Sequence, residues 1–256
     1  MAYAGRPGPH WLLFATWLNA AAAAWLTMVG DGADLCRYAR SRADMWIGTI
    51  GGVTAGALFS TLLGAYGAAA TLGRNANPFE VVAGIGAAPL TLLLILVAIA
   101  LDNWTVNVLN LYTGGLALTN SVERLGRFWA TLAVSVLGVA LSAMPDLVKE
   151  FVGSMSALGT ICAPIAGVLL ADYLGIKRGR IDVPALFAPG GRYWFQHGFA
   201  ALALAWVAFG ALLYGLVIPT AWIPSFATLL LTGFGYWLTV VMLARGGGAA
   251  PVRGAG

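Results

Sequence analysis

Charge is what this chain has least of. Only 9% of its 256 residues are Asp, Glu, Lys or Arg, against 60% apolar residues. A soluble domain carries about 25% charged residues, so a water-exposed surface cannot be built from this composition. Cysteine and histidine are equally scarce, two of each. Cys36 and Cys162 stand too far apart for a zinc site or a disulfide framework. No phosphate-binding Walker loop and no HExxH pair occurs, which removes the common nucleotide and metalloprotease signatures. Nothing combines a nucleophile, a base and oxyanion donors, so an enzyme is not expected.

What the chain does have is long runs with at most one charged residue. Seven can be read, at roughly 11–29, 45–72, 89–118, 128–144, 151–171, 199–217 and 222–244. Runs near 20 residues match the hydrocarbon thickness of a bilayer. None alternates apolar and polar residues as barrel strands do. The expected fold is therefore an all-α polytopic membrane protein with about seven transmembrane helices. With seven spans, the loops fall alternately on two sides. Eleven of the 14 basic residues share one side: Arg37, Arg40, Arg42, Arg124, Arg127, Lys177, Arg178, Arg180, Arg192, Arg245 and Arg253. Arg6, Arg74 and Lys149 lie on the other. Cytoplasmic loops carry the excess of Lys and Arg, so the first helix should enter from outside and the last should end in the cytoplasm. Met1 to His10 do not form a signal peptide. A first helix entering from outside normally follows others. The expectation is the latter part of a longer protein, with an independent N-out chain as the alternative.

Individual residues add detail. The first span is alanine-rich and ends in Val29-Gly30-Asp31-Gly32. Glycine is a poor helix former, so the helix should loosen there and resume through Ala33-Asp34-Leu35-Cys36-Arg37-Tyr38. Broken membrane helices persist where freed backbone groups line a cavity or meet a ligand. An ordinary helix end is the alternative. Gly52 and Gly56 in the second span form a small-xxx-small pair, expected to pack a neighbouring helix. Asp146, Lys149 and Glu150 read as an exposed loop after the fourth span. Pro164 should kink the fifth span. Residues 177–198 read as a cytoplasmic loop with an interfacial aromatic anchor, Arg192-Tyr193-Trp194-Phe195. The last two spans carry no internal charge and look like packing or lipid-facing helices.

The third span is the most informative. Asp102 lies well inside it. A carboxylate at a helix centre costs roughly 2.5–3.5 kcal/mol even on the mild insertion scale, so such a group usually faces a cavity, an ion or a partner. Asn103, Asn107 and Asn110 follow at i, i+4 and i+7, within about 60° of one another on one face. Asp102 and Thr105 occupy a neighbouring face. Polar glue between helices is the competing reading.

Three motifs in this order resemble the nucleobase–cation symporter-1 family, the cytosine, purine, allantoin and hydantoin permeases. They are Ala33-Asp34-Leu35-Cys36-Arg37-Tyr38, then Asn103-Trp104-Thr105-Val106-Asn107 with Leu111-Tyr112-Thr113-Gly114-Gly115-Leu116, then Ala171-Asp172-Tyr173-Leu174. The resemblance runs from about residue 11 to 244. It implies helices 6–12 of a twelve-helix inverted-repeat (LeuT-like) transporter fold. The segments would be an extracellular 1–10, a five-helix second repeat at 11–176, a cytoplasmic loop at 177–198, two peripheral helices at 199–245 and a disordered tail at 246–256.

The resemblance also implies a site. The family's stacking aromatic, nine positions before the motif Asp, corresponds to Trp25, with Ala24 beside it. A planar base suits an indole face, although a tryptophan can also be a belt anchor. The family's amide corresponds to Asn107 or Asn110. Its sodium-site carbonyl and first hydroxyl correspond to Asp102 and Thr105, and its second hydroxyl position holds Val106, which has none. Asp102 can compensate as an ionised ligand, or take up a proton, because burial favours the neutral acid. The expected partners are a nucleobase-like solute, Na+ or H+ as coupling ion, the lipid bilayer of the cell (inner) membrane and a missing N-terminal half. No cofactor and no nucleic acid are expected. The functional expectation is symport by alternating access, with an inactive truncated or split half-transporter as the alternative.

Overall fold

The computed structural model describes residues 8–30, 32–74, 77–84, 88–144, 150–186, 188, 191, 193–195 and 199–245. Several expectations fall outside them: Asp31, Asp146, Lys149, Arg192, the first seven residues and the tail at 246–256. Six helical segments are long and apolar enough to cross a membrane: Trp11–Val29, Arg42–Ala70, Pro89–Ser121, Glu123–Ser142, Val152–Ile176 and Pro224–Arg245. A shorter apolar helix, Ala201–Val217, is the seventh. These correspond one for one to the seven runs, and the protein is a multi-pass, all-α membrane protein.

Helix α1 spans Trp11–Leu26 and tightens into a 3₁₀ turn at Thr27–Val29. A short α2, Gly32–Cys36, follows, so the helix is interrupted where Gly30 and Gly32 make helix costly. The second span begins earlier than its apolar residues. Ser41 caps α3, Arg42–Trp46, by accepting a hydrogen bond from the Asp44 N–H at 3.0 Å. A π-helical turn at Ile47–Gly51 carries it into α4, Gly52–Ala70. After α5, Pro78–Gly84, the long α6 runs from Pro89 to Ser121 and α7 from Gly126 to Ser142. The fifth span is α8, Phe151–Leu170, which passes through Pro164 without a break and continues as a π turn at Ala171–Ile176. A one-turn α9, Val183–Leu186, precedes α10, Ala201–Leu212, and its π turn at Leu213–Val217. The last helix is α11, Pro224–Arg245.

The chain forms two compact units, one of residues 32–144 and the other of 8–30 and 150–245. Their boundary in sequence falls in the interrupted segment after α1. In the first unit α6 packs on α7. A Cβ at Gly114 would lie 2.9 Å from the Val134 side chain, and one at Gly115 would meet Thr131. Side-chain-free positions thus let these two helices close up. Gly51, Gly52 and Gly56 on the second span face open space instead. Among the described residues of the first unit, no neighbour makes the close approach expected of the Gly52/Gly56 pair.

The second unit is better packed. Its α8 contacts α1, α10 and α11. The buried residues are mostly small: Ala15, Ala22 and Ala23 from α1, Ala163 and Ala166 from α8, and Ser225, Thr228 and Thr232 from α11. Without a hydrophobic driving force in lipid, helices associate through close van der Waals contact, which small residues permit. Gly159 faces Ala23 and the Tyr214 hydroxyl, Gly210 faces Pro164 and Thr232, and a Cβ on Gly233 would lie 2.8 Å from the Gly167 carbonyl oxygen. The two last helices are thus packing helices of this unit.

Candidate functional site

Helix α6 carries the densest polar run of any span. Its first half has few neighbours, and Asp102, Asn103, Thr105, Asn107 and Asn110 are all exposed within the chain. Some of these side chains fold back on their own helix. The Asn103 amide donates to the Ile99 carbonyl at 2.9 Å, and the Thr105 hydroxyl lies 3.2 Å from the Asp102 carbonyl. Thr113 does the same toward Leu109 at 3.0 Å. Such bonds satisfy the donor of a hydroxyl or amide locally, while a hydroxyl oxygen keeps lone pairs able to accept or ligate. Asp102, Asn107 and Asn110 differ. Among the described residues no hydrogen bond or ion pair reaches their side chains. A carboxylate and two amides without partners at mid-span are polar groups whose satisfaction must come from elsewhere.

Trp25 and Ala24 belong to the second unit, on the last turn of α1. Trp25 is 47% exposed, and Ala24 is half-buried, with its carbonyl accepting from the Thr27 hydroxyl at 2.6 Å. The six residues expected to form a site therefore lie four on α6 and two on α1, each set accessible within its own unit. The positions are built differently. Trp25 ends a helix that is firmly held, whereas α6 presents its polar row from a helix packed mainly on α7.

What holds α1 was not singled out in sequence. Asn19, 4% exposed, sits among the alanines. Its amide donates to the Tyr214 hydroxyl at 2.8 Å, and its carbonyl oxygen accepts the Ser225 backbone N–H at 2.8 Å. The Ser225 hydroxyl also lies 3.3 Å from the Asn19 backbone carbonyl. Ser225 is in the first turn of α11, where backbone N–H groups have no partner within the helix, so α1 supplies the cap in trans. Near the other end of α1 the Trp11 indole N–H donates to the Ala221 carbonyl at 3.0 Å. A lone amide in an alanine run was the available signal.

The motif residues also meet. Within the first unit, Arg37 hydrogen-bonds the Tyr38 hydroxyl at 2.9 Å and the Tyr112 hydroxyl, and lies 4.0 Å from Asp34. Arg127 stands 5.0 Å over the Tyr112 ring. The hydrogen bond to Tyr38, with the phenols and Asp34 nearby, raises the Arg37 guanidinium above its ordinary value. Two motifs far apart in sequence are thus one cluster joining the segment after α2 to α6. In the second unit, the third motif's Asp172 pairs with Lys177 and lies 3.5 Å from the Tyr236 hydroxyl. Lys177 also stands 4.7 Å over the ring of Tyr193, which ties the aromatic anchor to this ion pair.

The sequence signature of the permeases for cytosine/purines, uracil, thiamine and allantoin matches residues 2–239. The chain is 28% identical to a purine-uracil permease of Arabidopsis thaliana over 92% of its own length and 43% of the relative's. It is 28% identical to an allantoin permease of Bacillus subtilis over 51% of its length and 28% of the relative's. It thus spans less than half the length of the curated relatives it matches. No solved structure gives a significant match. The chain belongs to the family of permeases for cytosine/purines, uracil, thiamine and allantoin.

Proposed function

We propose that this chain provides the substrate-gripping helices of a secondary transporter for a nucleobase-like heterocycle, working by alternating access with Na+ or H+ as the coupled ion. The observation that carries the reading is the unpartnered set on α6. Asp102, Asn107 and Asn110 sit at mid-span with no hydrogen-bond or ion-pair partner among the described residues, in a family of permeases. In this reading Trp25 stacks on the flat ring, with Ala24 leaving it room. Asn107 and Asn110 hydrogen-bond the ring edge. Asp102 and Thr105 form the cation or proton site, with Asp102 supplying the charge that Val106 cannot. The remaining walls come from a first repeat with which the chain works. The membrane would be the cell (inner) membrane, with α11 ending in the cytoplasm.

Equilibrium binding of labelled uracil, cytosine, adenine and allantoin to membranes carrying the protein, with and without sodium, tests this. Stacking of a base on an aromatic ring is worth roughly 1–3 kcal/mol. Trp25→Ala should therefore weaken binding by about fivefold to a hundredfold, and Trp25→Phe by much less. Binding unaffected by Trp25→Ala would refute the clamp. A second reading, a half-transporter inactive by itself, is favoured by the exposed polar row. It predicts no binding until a preceding five-helix segment is co-expressed.

A further inference from the structure

A groove of about 590 Å³ runs along the seam of α8 and α11 in the second unit. Gly167, Gly175 and Gly233 line it where side chains are absent, and Leu170, Phe234 and Trp237 line it with apolar surface. The two helices run parallel along this seam. Gly167 meets Leu229 and Gly233, and two turns later Gly175 meets Trp237, 2.7 Å from its would-be Cβ. The ends of both helices therefore lie at one end of the groove. Just past that end the chain places Lys177, Arg178 and Arg180, two to five residues after Gly175, whereas Arg245 lies eight residues beyond Trp237, about 12 Å further along α11.

The charges at this end are unequal in availability. Lys177 is committed to Asp172. Asp182 caps α9, its carboxylate accepting the Ala185 N–H at 3.3 Å. Arg178, Arg180 and Arg245 are exposed, and no ion pair or hydrogen bond holds their guanidinium groups among the described residues. An apolar trough inside the bilayer, followed within five residues of its Gly175 end by two free guanidinium groups, Arg178 and Arg180, at the basic face of the membrane, is complementary to a molecule with an apolar tail and an anionic head. A second copy fits badly. A two-fold axis along the membrane normal would bring like ends together, opposing the same arginines across the contact.

We infer that the α8–α11 groove binds an anionic phospholipid of the cytoplasmic leaflet, its acyl chain against Gly167, Gly233 and Trp237 and its phosphate at Arg178 and Arg180. Basic pockets between helices on that side suit such headgroups. The site uses none of the residues of the α6 polar row and does not depend on which solute the protein carries.

Trp237 supplies the readout. The purified chain is reconstituted with phosphatidylglycerol or phosphatidylcholine carrying brominated acyl chains, which quench tryptophan on contact. Each basic side chain near the surface favours an anionic lipid by about fivefold. With two such side chains, brominated phosphatidylglycerol should therefore quench a component of the fluorescence at a roughly 25-fold lower mole fraction than brominated phosphatidylcholine. Trp237→Phe should delete that component. The double variant Arg178→Gln/Arg180→Gln should remove the preference while leaving helicity and quenching by phosphatidylcholine unchanged. Equal quenching by both lipids would overturn the inference, as would a preference that survives the double variant. So would a tight component that persists without Trp237. Protection of Trp237 from both lipids in a cross-linkable dimer would assign the groove to a second copy and overturn it as well.

Discussion

Replacing Asn19 by alanine removes the buried junction that fixes α1 to the start of α11. Two hydrogen bonds of 2.8 Å disappear, one to the Tyr214 hydroxyl and one from the Ser225 N–H. Interhelical hydrogen bonds in membranes average about 0.6 kcal/mol and reach about 1.7. The Ser225 N–H is buried and is left without an acceptor, which costs about 1–3 kcal/mol. The sum predicts a loss of about 2–4 kcal/mol for Asn19→Ala. Tyr214→Phe is the milder change. It deletes one hydroxyl whose other neighbour, the Ser225 hydroxyl, is 3.4 Å away, and should cost about 1 kcal/mol. Because the two side chains share a bond, the double variant should cost less than the sum by about 0.6–1.7 kcal/mol. Unfolding of the purified chain in mixed micelles, followed by helicity, measures all three. Strict additivity, or a loss below about 0.5 kcal/mol for Asn19→Ala, would refute the reasoning.

Gly167→Val should be among the most damaging single changes in the second unit. The new side chain meets the Leu229 carbonyl and the Gly233 backbone, atoms that cannot yield. A loss of about 3 kcal/mol or more is expected in the same assay. Gly56→Ala, with nothing within 4 Å, should change stability by less than about 1 kcal/mol. Lys177→Met leaves Asp172 unpaired in a largely buried place, with side chains 11% and 19% exposed. It should cost about 2–3 kcal/mol, and the added change Asp172→Leu should recover much of that, as expected when a stranded charge is removed.

The spans were legible because the bilayer imposes a length and forbids charge, so any uncharged run near 20 residues carries the signal. The interruption after α1 was legible for a local reason too, since Gly30 and Gly32 disfavour helix whatever lies nearby. Boundaries set by capping were not. The second span starts at Arg42 because of Ser41, a residue outside the apolar run. Partnerships were the least legible. Asn19 finds Tyr214 across 195 residues, and one amide in an alanine run does not say which helix it will meet. Arg37 and Tyr112 were each marked by a motif, yet their contact needed the fold. Asp102 stood out at once, since a mid-span carboxylate is costly wherever it points.

That carboxylate also bears the central claim, and labelled-base uptake by membranes carrying the protein together with its first repeat, with Asp102→Asn compared to the unaltered chain across a pH series and with imposed sodium or proton gradients, tests it most directly. Uptake that loses its response to the driving gradient and to pH in the variant is the predicted result. Unchanged, still cation-driven uptake by Asp102→Asn would contradict the account.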